Sequence, residues 1–215
     1  MHSYTVCAFK NIHFQHGNPY KARTGVARMA ARKKTTKRKA VQTKTVSTRS
    51  PNASPNYFKL ALSIGICLGA GFIGSFFTMD SISTWYASLN KPFFNPPNWV
   101  FGPVWTVLYV FMGWSLYQLW NNHSTAVKKN QPLLFSAYYW FAVQLILNVL
   151  WSIIFFGWKN PLLALSTIIF TWFSIGMTVS AFFRIRKEAA YPLLPYWAWV
   201  SFASLLNMSI VLLNP

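Results

Sequence analysis

Residues 133–156 read LLFSAYYWFAVQLILNVLWSIIFF, 24 consecutive residues without a charge. At about 1.5 Å of rise per residue, a helix of this length crosses the roughly 30 Å hydrocarbon core of a bilayer. The run is too long for a barrel strand, and a helix satisfies its own backbone polar groups in lipid. Four further apolar runs of similar length stand at 60–79, 99–120, 161–183 and 191–213. Buried helices of a large soluble protein are the competing reading. Five such runs after residue 57 leave no sequence for a polar outer layer, so lipid is the expected surrounding. The expected fold class is therefore all-α: a bundle of five transmembrane helices over 58–215, preceded by a disordered basic tail over 1–57.

Composition agrees. Hydrophobic residues make up 53% of the chain and charged residues 10%, against about 25% in a soluble domain. The net charge of +18 is concentrated: 12 of the 20 Lys and Arg lie in residues 1–57, which hold no Asp or Glu. The run Arg32-Lys33-Lys34-Thr35-Thr36-Lys37-Arg38-Lys39 and the polar stretch after it cannot bury enough apolar area to fold alone. Three readings stay open for the tail. It is an organelle transit segment, an arm lying on anionic lipid, or in part a stretch upstream of a start at Met29. Charge alone also admits nucleic acid, but the membrane spans argue against such a partner. Cys7 and Cys67 form no disulfide framework and show no metal-ligand spacing.

The connections sort the remaining charges. Lys128, Lys129, Arg184, Arg186 and Lys187 fall on the side of the tail, while only Lys91 and Lys159 fall on the other. The positive-inside rule then puts the N-terminus on the cytoplasmic side and the C-terminus opposite, which works only with an odd number of spans. Either a bacterial-type plasma membrane or an organelle membrane is compatible with this pattern.

None of the five runs contains Lys, Arg, Asp, Glu or His. Intramembrane charges mark ion paths and proton relays, so a pump, a proton-coupled transporter and a voltage sensor are disfavoured. The same lack removes the usual acid–base and metal catalysts, and no cofactor is expected to be required. The polar residues inside the spans are neutral. Gln144, Asn148 and Trp151 share one helix face at i, i+4 and i+7. An amide facing lipid leaves hydrogen bonds unmade, so this face turns inward, as interhelical glue or as a pocket wall. Trp199, Ala203 and Leu206 repeat the spacing in the fifth span with Asn207 beside them, and Trp105, Tyr109 and Met112 do so in the second. Trp85, Trp99, Trp120 and Trp158 lie near span ends, as interfacial belt residues do. An aromatic-walled cavity suits a flat, hydrophobic ligand. Gly65-x-x-x-Gly69 and Ala70-x-x-x-Gly74 in the first span allow close helix approach, either for bundle packing or for a homodimer.

From Trp85 to Tyr109 the text is WYASLNKPFFNPPNWVFGPVWTVLY. This stretch resembles the TspO/MBR family, also called translocator proteins, tryptophan-rich sensory proteins or peripheral-type benzodiazepine receptors. Gln144–Trp151 with Phe155-Phe156-Gly157, and Leu194–Ala203 through Leu206-Asn207, resemble the same family, and the likeness covers about 58–214. The resemblance implies a five-helix bundle whose ligand cavity opens toward the first loop. It implies binding of porphyrins (tetrapyrroles), sterol-like lipids and benzodiazepine-type drugs, in a sensory or stress-regulatory role. Trp105 and Trp199 match tryptophans implicated in porphyrin binding and light-dependent porphyrin breakdown. Asn148 and Trp151 match the pocket wall of the third helix, and Ala203 and Leu206 match pocket positions of the fifth. The loop with Trp85, Lys91, Pro96 and Pro97 would form a lid. Two positions depart from the family pattern. Thr167 stands where many members carry an acid, and Leu206-Asn207 is followed by Met208 rather than the tyrosine and basic residue of the animal cholesterol motif. The expected function is a membrane binding or translocation protein. A light-dependent porphyrin-degrading enzyme using Trp105 and Trp199, and an interaction scaffold, are the alternatives.

Overall fold

The computed structural model describes residues 55–122 and 130–215. The tail with Cys7, Met29 and the basic run at 32–39, and the loop lysines Lys128 and Lys129, lie outside the described residues. Five helices are long and apolar enough to cross a membrane. Helix α1 is Tyr57–Ser83, the short α2 is Trp85–Ser88, and α3 is Asn98–Asn121. Helix α4, Gln131–Ser152, runs into a π-helical turn at Ile153–Gly157. Helix α5 is Pro161–Ile185, the short α6 is Lys187–Ala190, and α7 is Leu193–Leu213. No strand occurs among the described residues.

Three of the long helices begin with the same device. Asn56, Asn130 and Asn160 each accept, through Oδ1, the backbone N–H three residues on, at 3.0, 3.2 and 2.9 Å. Each cap satisfies a donor that the first turn leaves free, worth about 1 kcal/mol. Pro132 and Pro161 follow two of these caps, where a missing N–H costs nothing. The helices overrun the apolar windows: α1 covers 57–83 against the expected 60–79. The backbone ladder continues past the polar boundary because its bonds do not depend on side-chain hydropathy.

The π turn was not anticipated. Its wider loop is closed by Trp158 N donating to Ile153 O at 2.8 Å and by Asn160 N donating to Ile154 O at 3.2 Å. Lys159 takes a left-handed φ of 52° to complete the tight reversal into α5. One added residue per turn rotates the end of the span and turns Phe155 inward, where it is 2% exposed.

Around the bundle the order is α1, α3, α7, α5, α4 and back to α1. Lipid supplies no hydrophobic drive between helices, so close packing of small residues carries much of the association. A Cβ at Gly113 would collide with the backbone of Ile64, and a Cβ at Gly71 would collide with the Tyr109 ring. A Cβ at Gly74 would sit in tight contact with the Ser152 side chain, 3.1 Å from its hydroxyl. Gly65 and Gly69, by contrast, are exposed, with nothing within 4 Å of a Cβ built on either. This pair does not serve packing within the chain. That work falls to Gly71 and Gly74, whose face the rotation of α1 turns inward, and to Gly113 of α3, which meets Ile64 of α1.

Candidate ligand cavity

A cavity of about 550 Å³ lies between α1, α3, α4 and α7, in the half of the bundle nearest the first loop. Its floor is a chain of hydrogen bonds. Tyr109 Oη donates to Asn148 Oδ1 at 2.8 Å, and Asn148 Nδ2 donates to Tyr196 Oη at 2.9 Å. Tyr196 Oη in turn donates to Gln144 Oε1 at 2.9 Å. Tyr109 and Asn148 face the cavity, while Tyr196 and Gln144 lie beneath it. Gln144 is 1% exposed and does not line the cavity, so it braces the floor. Its Nε2 is buried without a partner.

A second polar link closes one wall. Trp151 Nε1 donates to Asn207 Oδ1 at 3.1 Å, and Asn207 Nδ2 donates to Pro161 O at 2.9 Å. Three spans meet through these two bonds. Trp151 also stacks on Phe155, with ring centroids 5.2 Å apart and planes 23° apart. Trp105 adds a further aromatic surface, 5.7 Å from Tyr109 and 6.2 Å from Tyr196 by ring centroid.

Of the residues anticipated from sequence, Trp105, Tyr109, Asn148, Trp151, Ala203, Leu206 and Asn207 line the cavity together. Trp199 does not. It packs against Phe101 and Phe202 at 6.0 and 5.4 Å, and its Nε1 is buried without a partner. One helical turn separates Trp199 from Ala203, but the first side chain points into the seam between α3 and α7 and the second into the cavity.

Trp85, Lys91, Pro96 and Pro97, expected to form a lid, hold the shape of the first loop and do not face the cavity. Lys91 Nζ donates to Ala87 O at 3.1 Å and to Leu89 O at 3.3 Å, capping the end of α2, and lies 5.0 Å over the Tyr86 ring. Pro96 O accepts from Asn95 Nδ2 at 3.0 Å, while Pro97 adopts an extended φ/ψ of −55°/141° immediately before α3. Trp85 meets Phe155 edge to face at 5.5 Å. The residue of this stretch that does line the cavity is Tyr86, whose Oη donates to Asn95 Oδ1 at 2.8 Å. Burial pushes the Tyr86 phenol above its ordinary value, and its hydrogen bond to Asn95 pulls the other way more weakly.

Sequence reading missed the contribution of α1. Leu68, Phe72, Ser75, Met79 and Ile82 all line the cavity. Their spacing of four and three residues is a helical stripe, the signal by which they could have been found. No residue of α5 beyond its first turn is involved. Thr167, at the departure from the family pattern, is buried elsewhere and donates to Leu163 O at 3.0 Å. No cluster of three or more His, Cys, Asp or Glu able to hold a metal exists among the described residues.

The arrangement defines a multi-pass membrane protein with an aromatic, amide-braced cavity under its first loop. The sequence model of the TspO/MBR family matches residues 63–213, and the chain belongs to that family. The tryptophan-rich protein TspO of Chlorobaculum tepidum is 47% identical over 156 residues, covering 73% of this chain and 96% of that one. The tryptophan-rich protein TspO of Archaeoglobus fulgidus is 46% identical over 162 residues, covering 74% and 99%. The translocator protein of Bos taurus is 35% identical over 150 residues, covering 70% and 83%.

Proposed function

We propose that this chain binds flat, lipophilic molecules in its cavity, with porphyrins as the leading class, and that binding serves sensing or passage across the membrane. The observation that carries this reading is how the polar atoms of the wall are used. Asn148 engages both its oxygen and its nitrogen with tyrosines, and Asn207 engages both with Trp151 and Pro161. Ser75, Thr78 and Thr106 donate to carbonyls of their own helices. What remains for a ligand is mainly the faces of Trp105, Trp151 and Phe155 together with aliphatic surface. A few polar groups there make no hydrogen bond among the described residues, such as the Asn98 amide, the Ser152 hydroxyl and the Trp105 indole N–H. Such a wall favours a broad π surface over a small polar solute. Sterol-like and benzodiazepine-type compounds fit the same description. In the bilayer, the Lys and Arg pattern supports an N-terminus on the cytoplasmic side, which reporter tags at the two termini would check.

Titration of the protein in nanodiscs with protoporphyrin IX tests the reading. Saturable quenching of tryptophan fluorescence is expected, with affinity lowered about tenfold in Trp151→Ala. The absence of saturable binding would leave the interaction scaffold. Loss of porphyrin absorbance under illumination, abolished by Trp105→Phe and Trp199→Phe, would instead mark degradation.

A further inference from the structure

We infer that ligands reach the cavity sideways from the lipid, through a gap between α1 and α3, rather than through the first loop. This rests on the binding reading above and adds the route and the source of the ligand. Every other side of the cavity is shut by a named contact. Between α1 and α4, Gly74 abuts Ser152, Gly157 abuts Phe77, and Ser81 Oγ donates to Phe156 O at 2.9 Å. Between α4 and α7 stands the Trp151–Asn207 hydrogen bond. Between α3 and α7 stand Phe101, Trp199 and Phe202, with Phe94 of the loop against Phe202 at 6.3 Å. Above the cavity, Tyr86 is buried, and the loop is tied to the end of α7 by hydrogen bonds between Asn90 and residues 213–214.

The α1–α3 side differs. The two helices touch closely at Gly113–Ile64 and at Gly71–Tyr109, toward the floor. Beyond that pinch they part. Phe72, Met79 and Trp99 line the cavity and yet are 70%, 71% and 75% exposed, so they form the rim of an opening. Gly102 also lines the cavity and is exposed, and a Cβ there would meet nothing within 4 Å. All four belong to helices long and apolar enough to cross a membrane, with Trp99 at a span end, so the proposed opening faces the bilayer close to its interface. Ser75 and Thr106 sit on the two sides of the gap with their hydroxyls donated to Phe72 O and Gly102 O. These two hydroxyls are therefore spent within their own helices, and the polar groups left at the rim are the Asn98 amide and the Trp99 indole N–H. A molecule using this route must partition into the bilayer first.

Two measurements in nanodiscs decide the matter. A bimane attached at Gly102→Cys, in a Cys7→Ser background, is expected to be quenched by phosphatidylcholine brominated in its acyl chains and not by aqueous iodide. With protoporphyrin IX as probe, Gly102→Leu and Gly102→Trp are expected to slow association and dissociation together, in order of side-chain size and by about tenfold for Trp. Asn214→Ala, which loosens the loop, should leave both rates within about twofold. Quenching by iodide without quenching by bromolipid would overturn the proposal. So would faster exchange in Asn214→Ala with unchanged rates in Gly102→Trp. If the unmodified protein binds no protoporphyrin, the functional reading fails, while the quenching result still shows whether the gap opens to lipid.

Discussion

Asn214 grips the peptide of Asn90 from both sides. Its Oδ1 accepts from Asn90 N at 2.9 Å, and its Nδ2 donates to Asn90 O at 3.0 Å, across 124 residues of sequence. Asn90 Nδ2 adds a bond to Leu213 O at 3.3 Å. The first loop is thus fastened to the end of the last span, and with Tyr86–Asn95 this fixes its path over the cavity.

Replacing Asn214 by Ala removes the two clasp bonds made by its side chain. At about 0.5–1.5 kcal/mol per bond, the local opening free energy of the loop should fall by about 1–3 kcal/mol. Hydrogen exchange over residues 85–95 is expected to speed up while α3 and α4 keep their protection. Unchanged exchange in the loop would show that the clasp does not hold it.

The glycines of α1 and α3 separate into two kinds. Gly113→Leu forces a side chain into the backbone of Ile64 and should destabilise the bundle by about 1–3 kcal/mol, read as a lower unfolding temperature in detergent. Gly65→Leu and Gly69→Leu project into open space, and their effect should stay within about 0.5 kcal/mol. Equal losses in both groups would contradict the packing described.

The floor network responds according to which partner is lost. Asn148→Leu strands the hydroxyl of Tyr109 and removes one donor to Tyr196, a cost of about 1–2 kcal/mol in a membrane setting. Tyr196→Phe strands Asn148 Nδ2 and Gln144 Oε1 together. The double variant should cost less than the sum of the single ones, because both act on one network. A double-variant cycle by denaturant or thermal unfolding checks this, and strict additivity would dissolve the network as a unit.

Tyr86 links the first loop to pH. Its folded pKa lies above the ordinary value of 10.0 because burial penalises the phenolate. A raised pKa means that the folded loop binds the proton more tightly than the unfolded one. The contribution is complete below the ordinary value and is lost as pH rises through the folded one. Proteolysis of the loop should therefore accelerate in that alkaline window, and Tyr86→Phe should flatten the dependence. An identical pH profile in the variant would remove Tyr86 from the effect.

The one-dimensional text carried the site unevenly. Asn148 and Trp151 were legible because an amide seven or fewer residues from an indole, on one face of an uncharged run, has few reasons to face lipid. The division of labour between Gln144 and Asn148 was not legible, since one turn along α4 separates a cavity wall from the bracing beneath it. Trp199 and Trp105 look equivalent as tryptophans in spans, yet only Trp105 lines the cavity. Phe155 reached its place through a π turn, whose wider hydrogen bonding leaves no clear mark in hydropathy.

The sequence by itself determined that the chain has five helices long and apolar enough to cross a membrane. Chain length, charge and hydropathy are properties of a run, and the thickness of a bilayer turns them directly into spans. Only the tertiary structure decided which face of each span turns inward. In lipid, the outer surface of a bundle is as apolar as its interior, so hydropathy does not mark the difference. Close contact marks it instead, and contact depends on the rotation of each helix and on its partner. That is why Gly71 and Gly113 form the pinch while Gly65 and Gly69 stay outside. It is also why the gap beside Gly102 can be seen only once α1 and α3 stand next to each other.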